Sequence, residues 1–279
     1  MRRSVAQCSE MLCSEVRDFN EVYQMSETSK KLIVTIPARL AATRLPNKPL
    51  ADIHGRPMIV HVWERVVAAV GSADQVIVAA GDTEIVDVMQ SVGGRVVLTD
   101  PDLPSGSDRV FSALLEIEKQ DGVALEHVIN VQGDLPTLPP ELIEKTVSLL
   151  QDGSDMSSLV AEITDSSEIG NPNVVKAIVS WDEAASDSSK VGRALYFTRA
   201  TAPSGDGPYY HHIGIYGYQR AALDRFVTLP PSPLEKREKL EQLRALEAGM
   251  TIRLACVDTV PLGVDTQDDL DIARKILRV

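Results

Sequence analysis

Three cations stand close together in one short segment of the sequence. Arg39, Arg44 and Lys48 follow an apolar run at 32–35 and precede a helical pattern that begins near Pro57. In an α/β sheet, the loop at the carboxyl end of a strand is where ligands bind. The three side chains can therefore converge on one polyanion, with loop N–H groups as further donors. This chemistry favours a nucleoside triphosphate, and a solvated loop whose cations happen to cluster is the competing interpretation.

The loop that carries these cations is not one of the glycine-rich phosphate-binding loops. Residues 36–50 contain no glycine, and neither the GxxxxGK[ST] nor the GxGxxG pattern is present there. Their absence excludes P-loop and dinucleotide sites of those types at this position. Pro37, Pro46 and Pro49 restrict the backbone instead. We expect a loop that folds over phosphates and binds them mainly through side chains.

Two aspartates are candidates for the metal ligands of a triphosphate site. Asp134 follows an apolar strand pattern at 127–131, which puts it at the carboxyl edge of the sheet. Asp265 precedes a helix that Thr266 and Asp269 can cap by themselves, so its carboxylate has no capping role. Mg²⁺ usually binds one or two carboxylates together with phosphate oxygens and water. For Asp134, a helix cap or turn before Pro136 is the competing interpretation.

Two further segments carry polar side chains. Ser105 and Ser107 open a helical pattern, where they can cap the helix or read the edge of a nucleobase, and both interpretations stay open. His211 and His212 are adjacent in a strand pattern, so their side chains point to opposite faces and form a poor metal pair. His212 shares a face with Tyr216. No Ser/His/Asp or Cys/His arrangement indicates covalent catalysis.

The composition limits the class of protein. The chain has 279 residues and a net charge of −12, which argues against a nucleic-acid-binding protein. No apolar run approaches the roughly 18 residues that a membrane span needs. The three cysteines, Cys8, Cys13 and Cys256, form no CxxC pair, which favours a reducing cytoplasm over a disulfide framework.

Alternating strand and helix patterns must position these residues. Strands are predicted at 32–37, 75–80, 95–98 and 127–131, and helices at 57–70, 83–92, 107–120 and 139–150. Repeated βα units of this length predict a doubly wound, mostly parallel sheet. Strand patterns at 156–164, 174–179, 194–198 and 213–218 predict an antiparallel insertion. A charged helix at 233–248, a strand at 251–256 and a closing helix at 266–277 complete the pattern.

The first thirty residues are polar and mixed in charge. No apolar region follows Arg2 and Arg3, so a secretory signal is not expected. A short helix is one interpretation. A flexible N-terminal extension, or a translation start placed too early with Met25 as the true start, is favoured.

Taken together, these segments resemble the CMP-Kdo synthetases, the 3-deoxy-manno-octulosonate cytidylyltransferases, from about residue 32 to the C terminus. The motifs that carry the resemblance are Pro37-Ala38-Arg39, Arg44-Leu45-Pro46, Lys48-Pro49-Leu50, Ser105-Gly106-Ser107-Asp108-Arg109, Asn130-Val131-Gln132-Gly133-Asp134, Asn171-Pro172-Asn173-Val174-Val175-Lys176, Tyr196-Phe197-Thr198-Arg199-Ala200, His212-Ile213-Gly214-Ile215-Tyr216, Leu240-Glu241-Gln242 and Gly263-Val264-Asp265-Thr266. Two departures are small. Leu135 stands where many members have Glu, and Ser107-Asp108 replaces a Thr-Glu pair.

The resemblance implies a nucleotide-diphospho-sugar transferase-like α/β fold with a mostly parallel, Rossmann-like sheet. It implies one cytidylyltransferase domain at 31–279, with an antiparallel β insertion at about 156–220 used for dimerisation. The implied reaction transfers CMP from CTP to the anomeric hydroxyl of Kdo (3-deoxy-D-manno-oct-2-ulosonate) and releases diphosphate. This reaction activates Kdo for lipopolysaccharide biosynthesis. A cytoplasmic homodimer without nucleic-acid or membrane partners is expected.

The resemblance also implies roles for individual residues. The residues expected to act in catalysis are Arg39, Lys48, Asp134 and Asp265, of which Asp134 and Asp265 bind Mg²⁺. The residues expected to contact the nucleotide are Ala38, Arg39, Arg44, Lys48, Ser105, Gly106, Gln132 and Asp134. The residues expected to contact the sugar acid are Arg199, His212, Tyr216, Glu241 and Gln242.

Three alternatives remain open at this point. The nearest is a cytidylyltransferase for an 8-amino Kdo analogue or another acid sugar, such as a sialic-acid-like substrate. A non-catalytic nucleotide-binding or regulatory protein would need a lost metal site, yet Asp134 and Asp265 are both present. A structural interaction module would use the charged helix at 233–248, which is more simply a solvated face with Glu241 and Gln242 turned toward the sugar.

Overall fold

The structure is a computed structural model that describes residues 31–41, 44–182 and 190–278. Its strands are β1 (Leu32–Ala38), β2 (Asp52–Ile53), β3 (Arg56–Pro57), β4 (Val76–Ala80), β5 (Arg95–Leu98), β6 (His127–Asn130), β7 (Met156–Glu162), β8 (Lys176–Trp181), β9 (Val191–Thr198), β10 (Tyr210–Gln219) and β11 (Ile252–Val257). Its α-helices are α1 (Met58–Val70), α2 (Thr83–Ser91), α3 (Gly106–Asp121), α4 (Glu141–Ser148), α5 (Ser166–Ile169), α6 (Arg220–Thr228), α7 (Pro233–Glu238), α8 (Leu243–Glu247) and α9 (Gln267–Ile276). The predicted extension at 1–30 lies outside the described residues.

One nine-stranded sheet, in the order β5-β4-β1-β6-β10-β7-β11-β9-β8, organises the fold. The four strands β5, β4, β1 and β6 are parallel. β1 is buried along its length because helices cover both faces of the sheet, which explains its continuous apolar run. The register pairs Thr35 of β1 with Asn130 of β6, so these two strands end at the same edge of the sheet.

The second half of the sheet is mixed, and here the expected topology needs correction. β10 runs antiparallel to both β6 and β7, and β9 runs antiparallel to both β8 and β11. β7 and β11 are parallel, however, although they are distant in sequence. The sheet is therefore parallel in its first four strands and mixed in the rest, and β7 is a strand of the main sheet. Non-local pairing of this kind leaves no local pattern in the sequence.

The predicted helix at 233–248 is wrong. Two short helices, α7 and α8, occupy this stretch, and Lys239 between them has a left-handed backbone with φ of 57°. The helical pattern continues across this break, but the backbone does not. The sequence also missed α6, which packs Leu223 and Phe226 into the core. No helix in the described part of the chain is long and apolar enough to cross a membrane.

The apolar core lies on both faces of the sheet. One face packs α1 and α4 through residues such as Ile59 and Ile143, and the other packs α3 and α6 through residues such as Leu114 and Phe226. These side chains are almost fully buried. The two layers hold the carboxyl ends of β1 and β6 in place, and the loops that follow these ends carry the predicted site.

Candidate active site

A cavity of about 310 Å³ lies at the carboxyl ends of β1 and β6. Its lining residues are Pro37, Ala38, Arg39, Ala41, Lys48, Pro49, Leu103, Ser105, Gly106, Arg109, Gln132, Gly133 and Asp134. Seven of the eight residues predicted to contact the nucleotide are therefore brought together, although they come from three separate segments. Arg44, the eighth, extends toward Asp265 instead.

Lys48 is the centre of the charged groups beside this cavity. Its Nζ donates to Asp134 Oδ2 at 2.7 Å and to Asp265 Oδ1 at 2.9 Å. Arg44 Nη2 donates to the other oxygen of Asp265, Oδ2, also at 2.9 Å. Burial by itself lowers the pKa of the Lys48 ammonium, but the two carboxylates outweigh burial and raise this pKa above its ordinary value. Lys48 is therefore a permanent cation between two carboxylates.

Backbone contacts connect the two aspartates across the long sequence that separates them. Val264 N donates to Asp134 O at 2.9 Å, which ties the segment before α9 to the end of β6. Asp265 N donates to Asp269 Oδ2 at 3.1 Å, and Thr266 and Asp269 form the capping box of α9. The cap is complete without the Asp265 carboxylate, as predicted. That carboxylate is thus available to Arg44, Lys48 or a ligand.

Asp82 anchors the loop after β1. Asp82 Oδ2 accepts the backbone N–H of Leu40 at 2.7 Å, so the loop that carries Arg39 is anchored to the segment after β4. Lys48 begins a single 3₁₀ turn after Asn47, whose left-handed backbone has φ of 55°. An asparagine tolerates this conformation better than most residues. No pattern in the sequence predicts the Asp82 contact.

Arg109 is a further residue of this site. It belongs to a motif noted in the sequence, but no role was predicted for it. Its guanidinium is almost completely buried and donates to Thr99 Oγ1 at 2.5 Å, to Asp100 O at 3.0 Å and to Pro101 O at 3.1 Å. Burial, and then repulsion from Arg39, lower the pKa of Arg109, although a guanidinium remains charged in proteins. The cavity therefore has a buried positive charge, that of Arg109, in its lining.

The first turn of α3 borders the same cavity. Ser105 caps this 16-residue helix by accepting the N–H of Asp108 at 3.2 Å, and Gly106 is its first residue. The unpaired N–H groups and the dipole of a helix N-terminus attract anions. Ser107 does not cap the helix, and its hydroxyl donates to Glu241 Oε2 at 2.9 Å. Ser105 therefore caps the helix, whereas Ser107 contacts Glu241.

A second cavity of about 530 Å³ lies between the start of α3 and the α7–α8 segment. Ser105 lines both cavities, which makes them neighbours. Glu241 also lines the second cavity, and one of its carboxylate oxygens, Oε1, is buried without a hydrogen-bond partner among the described residues. The same is true of the side-chain N–H₂ of Gln242, which is only 4% exposed. Buried polar atoms without a partner are rare in native proteins, and a water molecule, an ion or a functional role can account for them.

Arg199 lies near the second cavity, and its guanidinium donates hydrogen bonds to backbone carbonyl groups. It donates to Glu238 O at 2.9 Å and to Pro172 O at 2.9 Å. The Glu238 carboxylate in turn accepts the Arg199 backbone N–H at 3.0 Å and the Thr198 hydroxyl at 2.8 Å. Arg199 is therefore held firmly at the end of β9, apart from the three cations of the first loop.

His212 and Tyr216 lie on the same face of β10, with ring centroids 5.4 Å apart. His212 Nε2 and Ser158 Oγ are 3.0 Å apart, and the Phe197 ring packs against the imidazole. Burial, followed by repulsion from His211, lowers the pKa of His212 to about 3. His212 is therefore neutral at physiological pH and can offer a hydrogen bond without a charge.

The buried imidazole predicts a stability effect. Between the ordinary histidine pKa of about 6.5 and the folded pKa of about 3, the unfolded chain binds a proton that the folded chain excludes. The free energy of unfolding should therefore fall as the pH is lowered through this window. His212→Gln should make this fall less steep, by up to about 1.4 kcal/mol per pH unit. Urea denaturation of both proteins at pH 7, 6 and 5 measures the difference, and equal slopes would contradict it.

Two carboxylates, rather than a larger cluster, are available for a cation. Within 31–41, 44–182 and 190–278, no group of three or more His, Cys, Asp or Glu side chains is arranged to hold a metal ion. The pair Asp134 and Asp265 nevertheless converges on one point, because both carboxylates contact the same nitrogen of Lys48. Two hard oxygen donors beside a cavity lined by cations fit Mg²⁺, which keeps several waters and shares phosphate oxygens.

The fold and this site define a nucleotide-binding α/β protein of the nucleotidyltransferase type. The sequence matches the family described as cytidylyltransferase over residues 33–252. The chain belongs to the 3-deoxy-manno-octulosonate cytidylyltransferase family. The resemblance found in the sequence is therefore confirmed at the level of the family.

Relatives support this assignment along most of the chain. The 3-deoxy-manno-octulosonate cytidylyltransferase of Parvibaculum lavamentivorans is 59% identical over 246 residues, covering 88% of this chain and 92% of the relative. The protein of the same name from Rhodospirillum centenum is 56% identical over 254 residues, covering 91% and 96%. A solved structure of CMP:2-keto-3-deoxy-manno-octonic acid synthetase complexed with CTP has a TM-score of 0.77 and 36% identity, covering 88% of this chain and 98% of that one.

Proposed function

We propose that this protein transfers CMP from CTP to the anomeric hydroxyl of Kdo, forming CMP-Kdo and diphosphate. The observation that carries the proposal is the cation-lined cavity beside the carboxylate pair Asp134 and Asp265, in a chain 59% identical to a 3-deoxy-manno-octulosonate cytidylyltransferase. The similar structure complexed with CTP supports the choice of nucleotide. The product is an activated sugar acid, the form in which Kdo enters lipopolysaccharide biosynthesis.

The chain's own residues would bind the triphosphate by charge and by the helix terminus. Arg39 and Lys48 approach the cavity from the loop after β1, and the start of α3 supplies N–H groups at Ser105 and Gly106. Arg109 adds a buried charge that costs no reorganisation when the nucleotide binds. Transfer of a nucleotidyl group depends mainly on positioning and neutralisation of charge, so no covalent intermediate with the enzyme is needed.

We propose that Asp134 and Asp265 hold Mg²⁺ when the nucleotide is bound. Their convergence and their oxygen donors support this choice. When bound, Mg²⁺ would neutralise charge on the phosphates and make the attacking hydroxyl more acidic. Lys48 keeps the two carboxylates together, and Arg44 restricts the rotation of Asp265.

We propose that the sugar acid occupies the region between the start of α3 and the α7–α8 segment. Glu241 and Gln242 offer buried atoms that have no hydrogen-bond partner among the described residues, which suits a polyhydroxyl ligand. Arg199 would pair with the sugar carboxylate after exchanging one of its carbonyl contacts, and such pairs are often bidentate. His212, neutral at physiological pH, and Tyr216 would add uncharged hydrogen bonds.

We further propose a cytoplasmic homodimer that uses the β8–β9 strands. β8 is the last strand in the order of the described sheet and pairs with β10 at Lys176 alone, and Leu195 on β9 is half exposed. Most of the β8 edge and an apolar side chain are therefore left for a second copy. The three cysteines include no CxxC pair, which supports a reducing compartment. Sedimentation analysis of the protein and of Leu195→Glu would test the interface, since a dimer that persists unchanged in the variant would contradict it.

The test of the function is diphosphate release from CTP and Mg²⁺ in the presence of different sugar acids. We expect release with Kdo, and CMP-Kdo as the product by mass spectrometry. Faster turnover of 8-amino Kdo or of a sialic acid would assign the enzyme to that substrate instead. CTP binding without release with any of these sugars would support a nucleotide-binding protein and contradict the proposal.

Gly133 predicts a sharp loss of activity from a very small change. A Cβ at this position would lie 3.0 Å from Pro37 O, a backbone atom that cannot move aside independently. Gly133→Ala should therefore push the Asp134 segment away from the β1 loop. We expect kcat for diphosphate release to fall by about tenfold to a hundredfold, since small displacements of reacting groups are costly.

Gly170→Ala is the matched control, because nothing lies within 4 Å of its Cβ position and its φ of −85° suits alanine. This control should keep the activity of the unaltered protein. Equal activities of the Gly133→Ala variant and this control would contradict the close approach of the two loops.

A further inference from the structure

Ser107 lies between residues that line the two cavities, and its hydroxyl contacts Glu241 of the second cavity. It lies in the first turn of α3, directly after Ser105 and Gly106, which line the nucleotide cavity. Its side chain is buried, with only 3% of the residue exposed, and its Oγ–H donates to Glu241 Oε2 at 2.9 Å. Since Ser105 already caps the helix, this hydroxyl has no helical function to fulfil.

The contact continues behind Ser107 to Tyr218, whose hydroxyl is hydrogen-bonded to the serine. Burial, and then the negative charge of Glu241, raise the pKa of Tyr218, so its phenol stays protonated. A serine hydroxyl has a single proton, and an ionised carboxylate can only accept. The direction of the chain is therefore fixed. Tyr218 donates to Ser107, and Ser107 donates to Glu241.

This chain of donors restricts the Glu241 carboxylate. One oxygen, Oε2, is engaged by Ser107, while Oε1 is buried without a hydrogen-bond partner in the described chain. Arg244 lies 3.7 Å from Oε1 but is bound at 2.9 and 2.6 Å by Glu235, which holds the guanidinium in place. Oε1 therefore has only the longer ion-pair contact with Arg244, and Ser107 fixes the orientation of a carboxylate that lines the second cavity.

We propose that Ser107 is a positioning residue that aims Glu241 Oε1 at a hydroxyl group of the sugar acid. The inference rests on the proposed function, because it requires the sugar acid to lie beside Glu241. The same helical turn would then border the nucleotide and set the orientation of a sugar contact. Only the orientation of Glu241 depends on the Ser107 hydroxyl, since Ser105 and Gly106 form the nucleotide side of the turn.

The test separates the affinity for sugar from the affinity for nucleotide. Ser107→Ala should raise KM for Kdo by about tenfold, the size expected for a lost hydrogen bond to a charged group, and leave KM for CTP unchanged within about twofold. Ser107→Thr keeps the hydroxyl and should restore KM for Kdo. Tyr218→Phe removes only the first donor of the chain and should raise the same KM by a smaller factor.

Ser154→Ala is the matched control, because Ser154 is also buried and its hydroxyl donates to Leu149 O at 3.1 Å, before the start of β7. It should leave both KM values unchanged. In a Glu241→Gln background, Ser107→Ala should have an effect well below tenfold, since the charged acceptor is gone.

The possible results are distinguishable. If the unaltered protein releases no diphosphate with Kdo, the proposed function fails. If the unaltered protein is active and the Ser107→Ala variant has the same KM for Kdo, the role of Ser107 fails. A rise of both KM values together, or a full effect of Ser107→Ala in the Glu241→Gln background, would show a general structural role and would also overturn the inference. Should Ser107→Ala not fold, Tyr218→Phe decides by the same KM criterion.

Discussion

Asp134→Asn should abolish diphosphate release from CTP and Kdo, with a loss of about a thousandfold or more in kcat. The asparagine keeps the shape of the side chain but removes the negative charge that contacts Lys48 at 2.7 Å and that we expect to hold Mg²⁺. Lys48 would retain its contact with Asp265, so the loop after β1 should stay in place. A steady-state assay of diphosphate release at saturating CTP and Kdo measures the loss.

The fold of this variant should remain intact. The Asp134 side chain is 28% exposed, and an ion pair of this kind contributes at most about 1 kcal/mol to stability. Asp224→Asn is the matched control, since Asp224 is a half-exposed carboxylate on α6 that pairs with Arg220. The control should keep full activity, and both variants should melt close to the unaltered protein. An active Asp134→Asn variant would show that this carboxylate is not part of the catalytic machinery.

Lys48→Met should lower kcat/KM for CTP by about a hundredfold, equivalent to about 2.7 kcal/mol of transition-state stabilisation. The methionine has a similar length and fills the space, so the change mainly removes the charge. Without the ammonium, Asp134 loses its ion-pair partner while Asp265 keeps its contact with Arg44, so the two carboxylates would repel each other and the triphosphate more strongly. We therefore expect both a higher KM for CTP and a lower kcat, measured by initial rates over a range of CTP concentrations.

Lys119→Met is the control for the loss of a lysine, because Lys119 is exposed in the last turn of α3. It should behave as the unaltered protein. Lys48→Arg keeps the charge in a larger group and should recover part of the activity. An unchanged KM for CTP in Lys48→Met would contradict a role of Lys48 in binding the nucleotide. Lys48 would then be only a structural partner of the two aspartates.

Much of the site was predictable because neighbouring parallel strands end at the same edge. The cation loop follows β1 and Asp134 follows β6, and the pairing of Thr35 with Asn130 brings the two ends together. Asp265 was predictable for a different reason. Its helix was already capped by Thr266 and Asp269, which left the carboxylate unexplained until the contact with Lys48 was seen.

Other parts depend on contacts that no local pattern carries. The stretch at 233–248 has a continuous helical pattern, yet Lys239 breaks it where Glu238 binds the end of β9 through Thr198 and the Arg199 backbone. Arg109 looked like an ordinary first-turn residue, and only its burial against Thr99 marks it as part of the site. Propensity describes a segment by itself, whereas these features are decided by its neighbours in space.

The position of β7 in the sheet has a consequence for synthesis of the chain on the ribosome. Both neighbours of β7, the strands β10 and β11, are encoded after it. Strands β1, β4, β5 and β6 can pair once about residue 131 has emerged. In contrast, β7, an apolar strand buried in the finished protein, has two open edges until residue 219 is made and one until residue 257 is made. Nascent chains with unpaired apolar strands aggregate readily. Slow translation between β7 and β11 would therefore lower the yield of folded enzyme.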